Sequence, residues 1–257
     1  MAVAKTDDRW THVLAVDLGA SGGRVIRGSW DPREKKLSLH EIHRFANEPV
    51  EICGTLHWDI LRLFHEIKTG IREAVRTLPA GDKVSSLAID TWGVDFGLLD
   101  KRGQLLANPV HYRDRRTDGM VERLRSKLGE GTLFRLTGIQ DEWFNTVYQL
   151  VGALDQDSMV LERADALLFT PDLLNYFLTG IKAAERTIAS TSQLLVAGQP
   201  VWADELFVTL GLPRRLMQPV VEPGTLLGPV SADIAKDLGL EPGTPVAVVP
   251  SHDTESA

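Results

Sequence analysis

THVLAVDLGASGGRVIRGSWD, residues 11–31, decides how the rest of the chain is read. Thr11 to Asp17 is a short apolar run that stops on a carboxylate, and Leu18–Gly23 then supplies turn residues. Arg24–Asp31 is β-branched and alternating. A second turn at Asp31–Lys36 leads to Leu37–Phe45, so the opening predicts a meander of three strands.

Beyond it, apolar residues at 60, 61, 63, 64, 67, 71, 74, 75 and 78 recur every three or four positions, the spacing of an amphipathic helix over Trp58–Leu78 that Pro79 and Gly81 close. Val84–Ile89 reads as a compact strand ending at Asp90, and Val94–Leu99 as a further strand after Trp92-Gly93. Strand, strand, strand, helix, strand is the opening of a ribonuclease H-like, actin-like domain. The expected class is therefore α/β, a mixed sheet with a three-stranded antiparallel meander flanked by helices. Residues 117–165 read as largely helical with breaks near Gly129–Gly131 and Gly138–Asn145. Ala166–Phe169 is a short strand, and Pro171–Leu178 a helix with proline in its first turn and Gly180 after its end. Later come Trp202–Leu210, the Pro223-Gly224 turn, Ser231–Leu238 and the strand Val246–Val249.

At 257 residues, 43% hydrophobic and 25% charged, the chain has the composition of one sizeable globular domain. A net charge of −7 opposes partners that need a broad basic surface, so neither nucleic acid nor an anionic membrane is expected. The single cysteine, Cys53, excludes an internal disulfide and reads as a buried or loop thiol. With no leader-like start and no apolar span of about 20 residues, the expected location is cytoplasmic.

Three segments carry candidate chemistry. Asp17-Leu-Gly-Ala-Ser-Gly-Gly-Arg24 places small residues between two strands, where backbone amides can approach a phosphate; it matches neither the Walker A nor the dinucleotide spacing, and an ordinary hairpin turn is the alternative. Asp90-Thr-Trp-Gly-Val-Asp95 sits at the carboxyl end of a core strand, where open α/β sheets hold ligands. Trp92 offers an apolar face to a sugar ring and Gly93 a close backbone approach; the alternative is a turn with a core tryptophan. Ser251-His252-Asp253-Thr254 follows another strand. An aspartate there, ionised near neutrality, can orient a hydroxyl and take its proton, or can merely cap a following helix.

Together these segments resemble the FGGY carbohydrate kinases. VDLGASGGR, DTWGVDFGLLD and PSHDT are close to the form they take in the rhamnulokinase branch of that family, and FNTVYQL (144–150), TPDLLNYFLTG (170–180) and ASTSQL (189–194) extend the likeness over about Val13–Thr254. The resemblance implies a tail over residues 1–10, a sugar-binding domain over 11–250, and a connection beginning at 251–257 toward a C-terminal ATP-binding domain beyond this sequence. It implies ATP-dependent phosphorylation of L-rhamnulose at its C1 hydroxyl, with Asp253 as general base. Gly93, Trp92, His252 and Thr254 would contact the sugar, and Ala20, Ser21, Gly22, Gly23 and Arg24 would meet the ATP phosphates. Asp17 would help hold Mg²⁺ through water. Sugar identity would rest on Trp92, Phe96 and the loop Glu142–Thr146, with xylulokinase or fuculokinase activity or a non-catalytic sugar-binding module as the other readings. Alone, the chain would bind ATP weakly and turn over little, because closure of two domains assembles such a site. The resemblance implies nothing about oligomeric state.

Overall fold

The computed structural model describes residues 10–256, so most of the expected N-terminal tail lies outside the described residues. The meander is present as β1 (Thr11–Leu18), β2 (Gly22–Asp31) and β3 (Lys36–Ala46). A small hairpin, β4 (Val50–Ile52) and β5 (Thr55–His57), then precedes α1 (Ile60–Arg76), β6 (Val84–Thr91) and β7 (Phe96–Leu99). The middle of the chain folds as α2 (Met120–Leu128), α3 (Thr132–Thr137), α4 (Thr146–Arg163), β8 (Ala166–Phe169) and α5 (Thr170–Thr179). It closes with β9 (Ala184–Glu185), α6 (Arg186–Ser190), α7 (Asp204–Leu210), β10 (Val220–Val221), β11 (Leu226–Pro229), α8 (Ala232–Leu238), β12 (Pro245–Ala247) and α9 (Asp253–Ser256).

The main sheet runs β3-β2-β1-β6-β12-β11. β1 and β2 are antiparallel, as are β2 and β3, whereas β6 lies parallel to β1 on one side and to β12 on the other, which makes the sheet mixed as expected. Alternation along β1 puts Leu14, Val16 and Leu18 into the core and turns Asp17 to the opposite face. In register with Asp17 stands Asp90, and Thr91 in turn bridges to His252. The ends of β1 and β6 and the segment after β12 therefore meet at one edge of the sheet.

Helix α1 covers the core face with Ile60, Leu63, Ile67, Ile71 and Ala74, the stripe its sequence period demands, and Asp59 caps its start by accepting the Arg62 N–H. Gly70 lets the helix sit close to the sheet: a Cβ there would fall 2.4 Å from Val25 Cγ2 and 3.0 Å from His43 Cβ. Gly70→Ala gains about 1 kcal/mol of helix propensity. It is nevertheless expected to lower stability by roughly 1–3 kcal/mol, because overpacking a closed core outweighs that gain. A urea midpoint equal to or above that of the parent chain would contradict this.

A second apolar cluster, with Tyr148, Phe169, Trp202 and Phe207 among its members, joins α4, α6, α7 and the β7–β8 pair. The strand expected from Val94 begins only at Phe96, since Val94 has a φ of 67° that no strand accommodates. Cys53 is an exposed thiol at the tip of the β4–β5 hairpin, a hairpin that sequence reading did not anticipate. Among the described residues, no helix is long and apolar enough to cross a membrane.

Candidate active site

The chain crosses from the sheet to the second cluster through residues 92–95, and a cavity of about 680 Å³ opens there. That volume is in the range of small-molecule pockets. Ala20, Trp92, Gly93, His252 and Asp253 line it, so the three segments singled out in the sequence converge. The remaining wall comes from Val94, Tyr112, Arg113, Ile139, Trp143, Phe144, Asn145, Ser190, Thr191 and Glu255. Phe96 is not part of it. It lies on β7, enclosed by the second cluster, which corrects the expectation that Phe96 bears on sugar identity.

Gly93 is pinched between two walls. A Cβ would fall 3.1 Å from Thr191 Cγ2 and 3.2 Å from His252 Nε2, so a side chain here would push apart the loops that frame the cavity. Trp92 lines the cavity while its ring packs 4.1 Å from that of Trp58, as a core tryptophan would. Val94 is held in its left-handed conformation from two sides: its N–H donates to Thr191 Oγ1 at 2.9 Å, and its carbonyl accepts from Thr146 Oγ1 at 2.7 Å and Gln149 Nε2 at 3.3 Å.

Beneath this segment, Asp95 is wholly buried. Its carboxylate accepts from Trp58 Nε1 at 2.5 Å, Trp92 Nε1 at 3.0 Å, Gln149 Nε2 at 3.0 Å and the Tyr112 N–H at 3.2 Å. Burial raises its pKa to about 6, against the pull of Trp58, Gln149, Trp92 and the Arg116 charge. The aromatic wall is pinned by Gln193, whose Nε2 donates to the Ile139 carbonyl and to Asp141 Oδ1, both at 2.8 Å, while its Oε1 accepts from Asn145 Nδ2 at 3.0 Å.

The glycine segment is a tight hairpin, Gly19 N–H donating to the Gly22 carbonyl at 2.9 Å. Gly19, Ala20 and Ser21 form the turn, and Gly22, Gly23 and Arg24 open β2, from which Arg24 Nε reaches back to Asp17 Oδ2 at 3.0 Å. Asn47, at the end of β3, fixes the hairpin from behind: Nδ2 donates to the Gly19 carbonyl at 2.9 Å and its N–H to the Ser21 carbonyl at 3.2 Å. These contacts set which way the peptide planes around Ala20 face.

Asp253 opens α9, whose first turn is closed by the His252 carbonyl accepting from Glu255 and Ser256. Thr254 is exposed and donates to Asp253 Oδ1 at 3.3 Å, placing it beside the carboxylate rather than in the cavity lining. His252 Nδ1 is engaged by the Glu255 carboxylate, and Nε2 lies 3.6 Å from Asp253 Oδ1.

Asp90, in register with Asp17 at the ends of β6 and β1, feels the charges of both Asp17 and Asp253. Burial first, and then those two charges, raises its pKa to about 7. The folded chain thus keeps a proton on Asp90 that the unfolded chain releases above its ordinary 3.8, so this contribution to stability is present below about pH 4 and is lost as pH rises through 7. Asp90→Asn is accordingly expected to melt several degrees higher than the parent at pH 8 without divalent cations, at about 2–4 °C per kcal/mol for a domain of this size. The gap should close toward pH 4. Melting curves whose separation does not change over pH 4–8 would contradict the assignment.

The sequence model of the FGGY family of carbohydrate kinases, N-terminal domain, matches residues 12–257. The chain belongs to the FGGY carbohydrate kinase family. It is 40% identical over 246 residues to a rhamnulokinase of Pectobacterium atrosepticum, covering 96% of this chain and 48% of the relative. It is 41% identical over 246 residues to one of Bacteroides thetaiotaomicron, covering 96% and 50%. This FGGY chain therefore spans about half the length of the curated relatives it matches. Among solved structures it resembles a gluconate kinase of Lactobacillus acidophilus, with a TM-score of 0.83 at 16% identity over 95% of this chain and 48% of that one. A ligand-bound xylulose kinase of the same organism gives 0.82 at 16% identity, over 95% and 48%. At such identities the likeness establishes the actin-like fold of the FGGY kinases and nothing finer.

Proposed function

We propose that these residues form the sugar-binding half of an ATP-dependent kinase that phosphorylates L-rhamnulose at its C1 hydroxyl, with Asp253 as general base. The observation that carries the reading is the convergence of Asp253, the Gly93 tip and the Ala20 hairpin on one cavity of about 680 Å³. Identity near 40% to rhamnulokinases along almost the whole chain supports the choice of sugar. So does the lining, in which Val94, Ile139, Trp143 and Phe144 suit the methyl terminus of a 6-deoxy ketose better than a further hydroxyl.

In this reading the ketose lies against Trp92 and the Gly93 backbone with His252 and Asp253 to orient it, and Thr254 acts on it only through its hydrogen bond to Asp253. Asp253 accepts the proton of the C1 hydroxyl as that oxygen bonds to the γ-phosphorus, and the bond from phosphorus to the bridging oxygen breaks to leave ADP. The hairpin Ala20–Arg24, steadied by Asn47, faces the phosphates with backbone donors, and Arg24 adds charge. Among the described residues no group of three or more His, Cys, Asp or Glu is placed to hold a metal directly. Asp90, whose carboxyl feels both Asp17 and Asp253, nonetheless marks a place where a cation held through water would fit, with Asp17 as the contact this reading gives it. Mg²⁺ there supplies charge neutralisation for the transferring phosphoryl group.

Calorimetric titration of the 257-residue chain with L-rhamnulose, L-fuculose and D-xylulose tests the reading. L-Rhamnulose is expected to bind at least tenfold more tightly than D-xylulose, without nucleotide, while ATP binds weakly and the chain by itself shows little or no turnover. Failure to bind any of the three, or a preference for D-xylulose, would overturn it. Binding with no phosphorylation by the complete protein would favour a non-catalytic sugar-binding module.

A further inference from the structure

We infer that Glu185 is the positioning residue that sets where the Asp253 loop stands relative to the sugar pocket, an inference that rests on the reading of Asp253 above. Glu185 is fully buried and lies outside the cavity lining. Its carboxylate caps α6, Oε1 accepting the Thr187 N–H at 2.7 Å and Oε2 the Ile188 N–H at 3.0 Å and the Thr187 hydroxyl at 2.6 Å. Those contacts would suffice to close a helix end. The same Oε2 also reaches a segment 66 residues away, accepting the Ser251 N–H at 3.1 Å and the Ser251 hydroxyl at 2.7 Å.

A second line runs through Thr187, whose hydroxyl oxygen accepts the His252 N–H at 3.3 Å. Both residues that precede Asp253 are thereby held by one buried carboxylate. At its other end α6 delivers Ser190 and Thr191 to the cavity, and Thr191 Oγ1 accepts the Val94 N–H. Glu185 thus fixes the spacing between the base loop and the wall that faces Gly93. Its own N–H donates to Asp172 Oδ1 at 3.1 Å. Asp172 is itself buried, and its pKa stands well above the ordinary carboxylate range, through burial first and then the nearby Glu185 charge. Glu185 touches no reacting atom; it acts through Ser251 and Thr187.

The test uses Glu185→Gln, which keeps the volume but turns one acceptor into a donor facing N–H groups, and Ser251→Ala, which removes one hydroxyl contact and leaves the α6 cap in place. In the complete kinase each is expected to lower kcat with ketose KM within threefold. The loss should be on the order of 10–100-fold for Glu185→Gln and smaller for Ser251→Ala, since sub-ångström misplacement of a base acts on the chemical step. In the 257-residue chain, amide hydrogen exchange at 251–253 is expected to speed up at least tenfold while β1 and β6 keep their protection. A kcat within twofold of the parent in both variants, or a KM that rises as far as kcat falls, would overturn the inference. So would unchanged exchange at 251–253 in both. If Glu185→Gln does not fold, Ser251→Ala decides alone. A complete protein that phosphorylates no ketose defeats the functional reading instead, and the exchange measurement then still decides whether Glu185 holds the loop.

Discussion

Asp253→Asn in the complete kinase is expected to lower turnover by roughly 10²–10⁴-fold, the span that a positioned general base contributes, while ketose affinity changes by threefold or less. The substitution keeps the shape of the side chain and an oxygen for the Thr254 hydroxyl, so the cavity wall stays in place. It removes the capacity to take a proton. His252 is poorly placed to substitute, because its Nδ1 is engaged by Glu255 and its Nε2 lies beside Asp253. A loss felt in kcat and not in sugar binding is the signature of a group that acts in the transition state. Turnover within tenfold of the parent enzyme would remove Asp253 from the mechanism.

Asp95→Ala is expected to cost roughly 3–5 kcal/mol, which for a domain of this size lowers the melting temperature by on the order of 10 °C. The carboxylate collects donors from Trp58, Trp92, Gln149 and Tyr112, and its loss strands them without water. Trp92 and the 92–95 segment would lose their anchor, so sugar binding should weaken along with stability. Asp95→Asn keeps one acceptor oxygen and should fall between the two. A melting temperature for Asp95→Ala within 3 °C of the parent would show that the network is replaceable.

The features read correctly from the sequence are those set by neighbours along the chain. The period of α1, the alternation of β1 and the glycine hairpin announce themselves over a few residues, and the three chemical segments stand at strand ends, where the register of β1, β6 and the post-β12 segment brings them together. What was missed depends on distant partners. Glu185 has no local signature, because its meaning lies in Ser251, and Asn47 matters only through the hairpin it backs. Asp90 stood inside a quoted motif, yet only the spatial approach of Asp17 and Asp253 gives it its charge state. Phe96 was misplaced because the turn at Val94 carries the chain away from the cavity before β7 begins, and proximity in sequence conceals that bend.

Val94 holds a β-branched side chain in left-handed backbone, a conformation that costs on the order of 1–3 kcal/mol and persists only because its surroundings impose it. Glycine at this position would adopt the same dihedral without that strain. The variant so obtained would also give up a side chain that is only 6% exposed and an apolar contact inside the cavity, losses of the same order as the strain relieved. Backbone ease and the shape of the cavity wall are thereby set in opposition at one torsion angle.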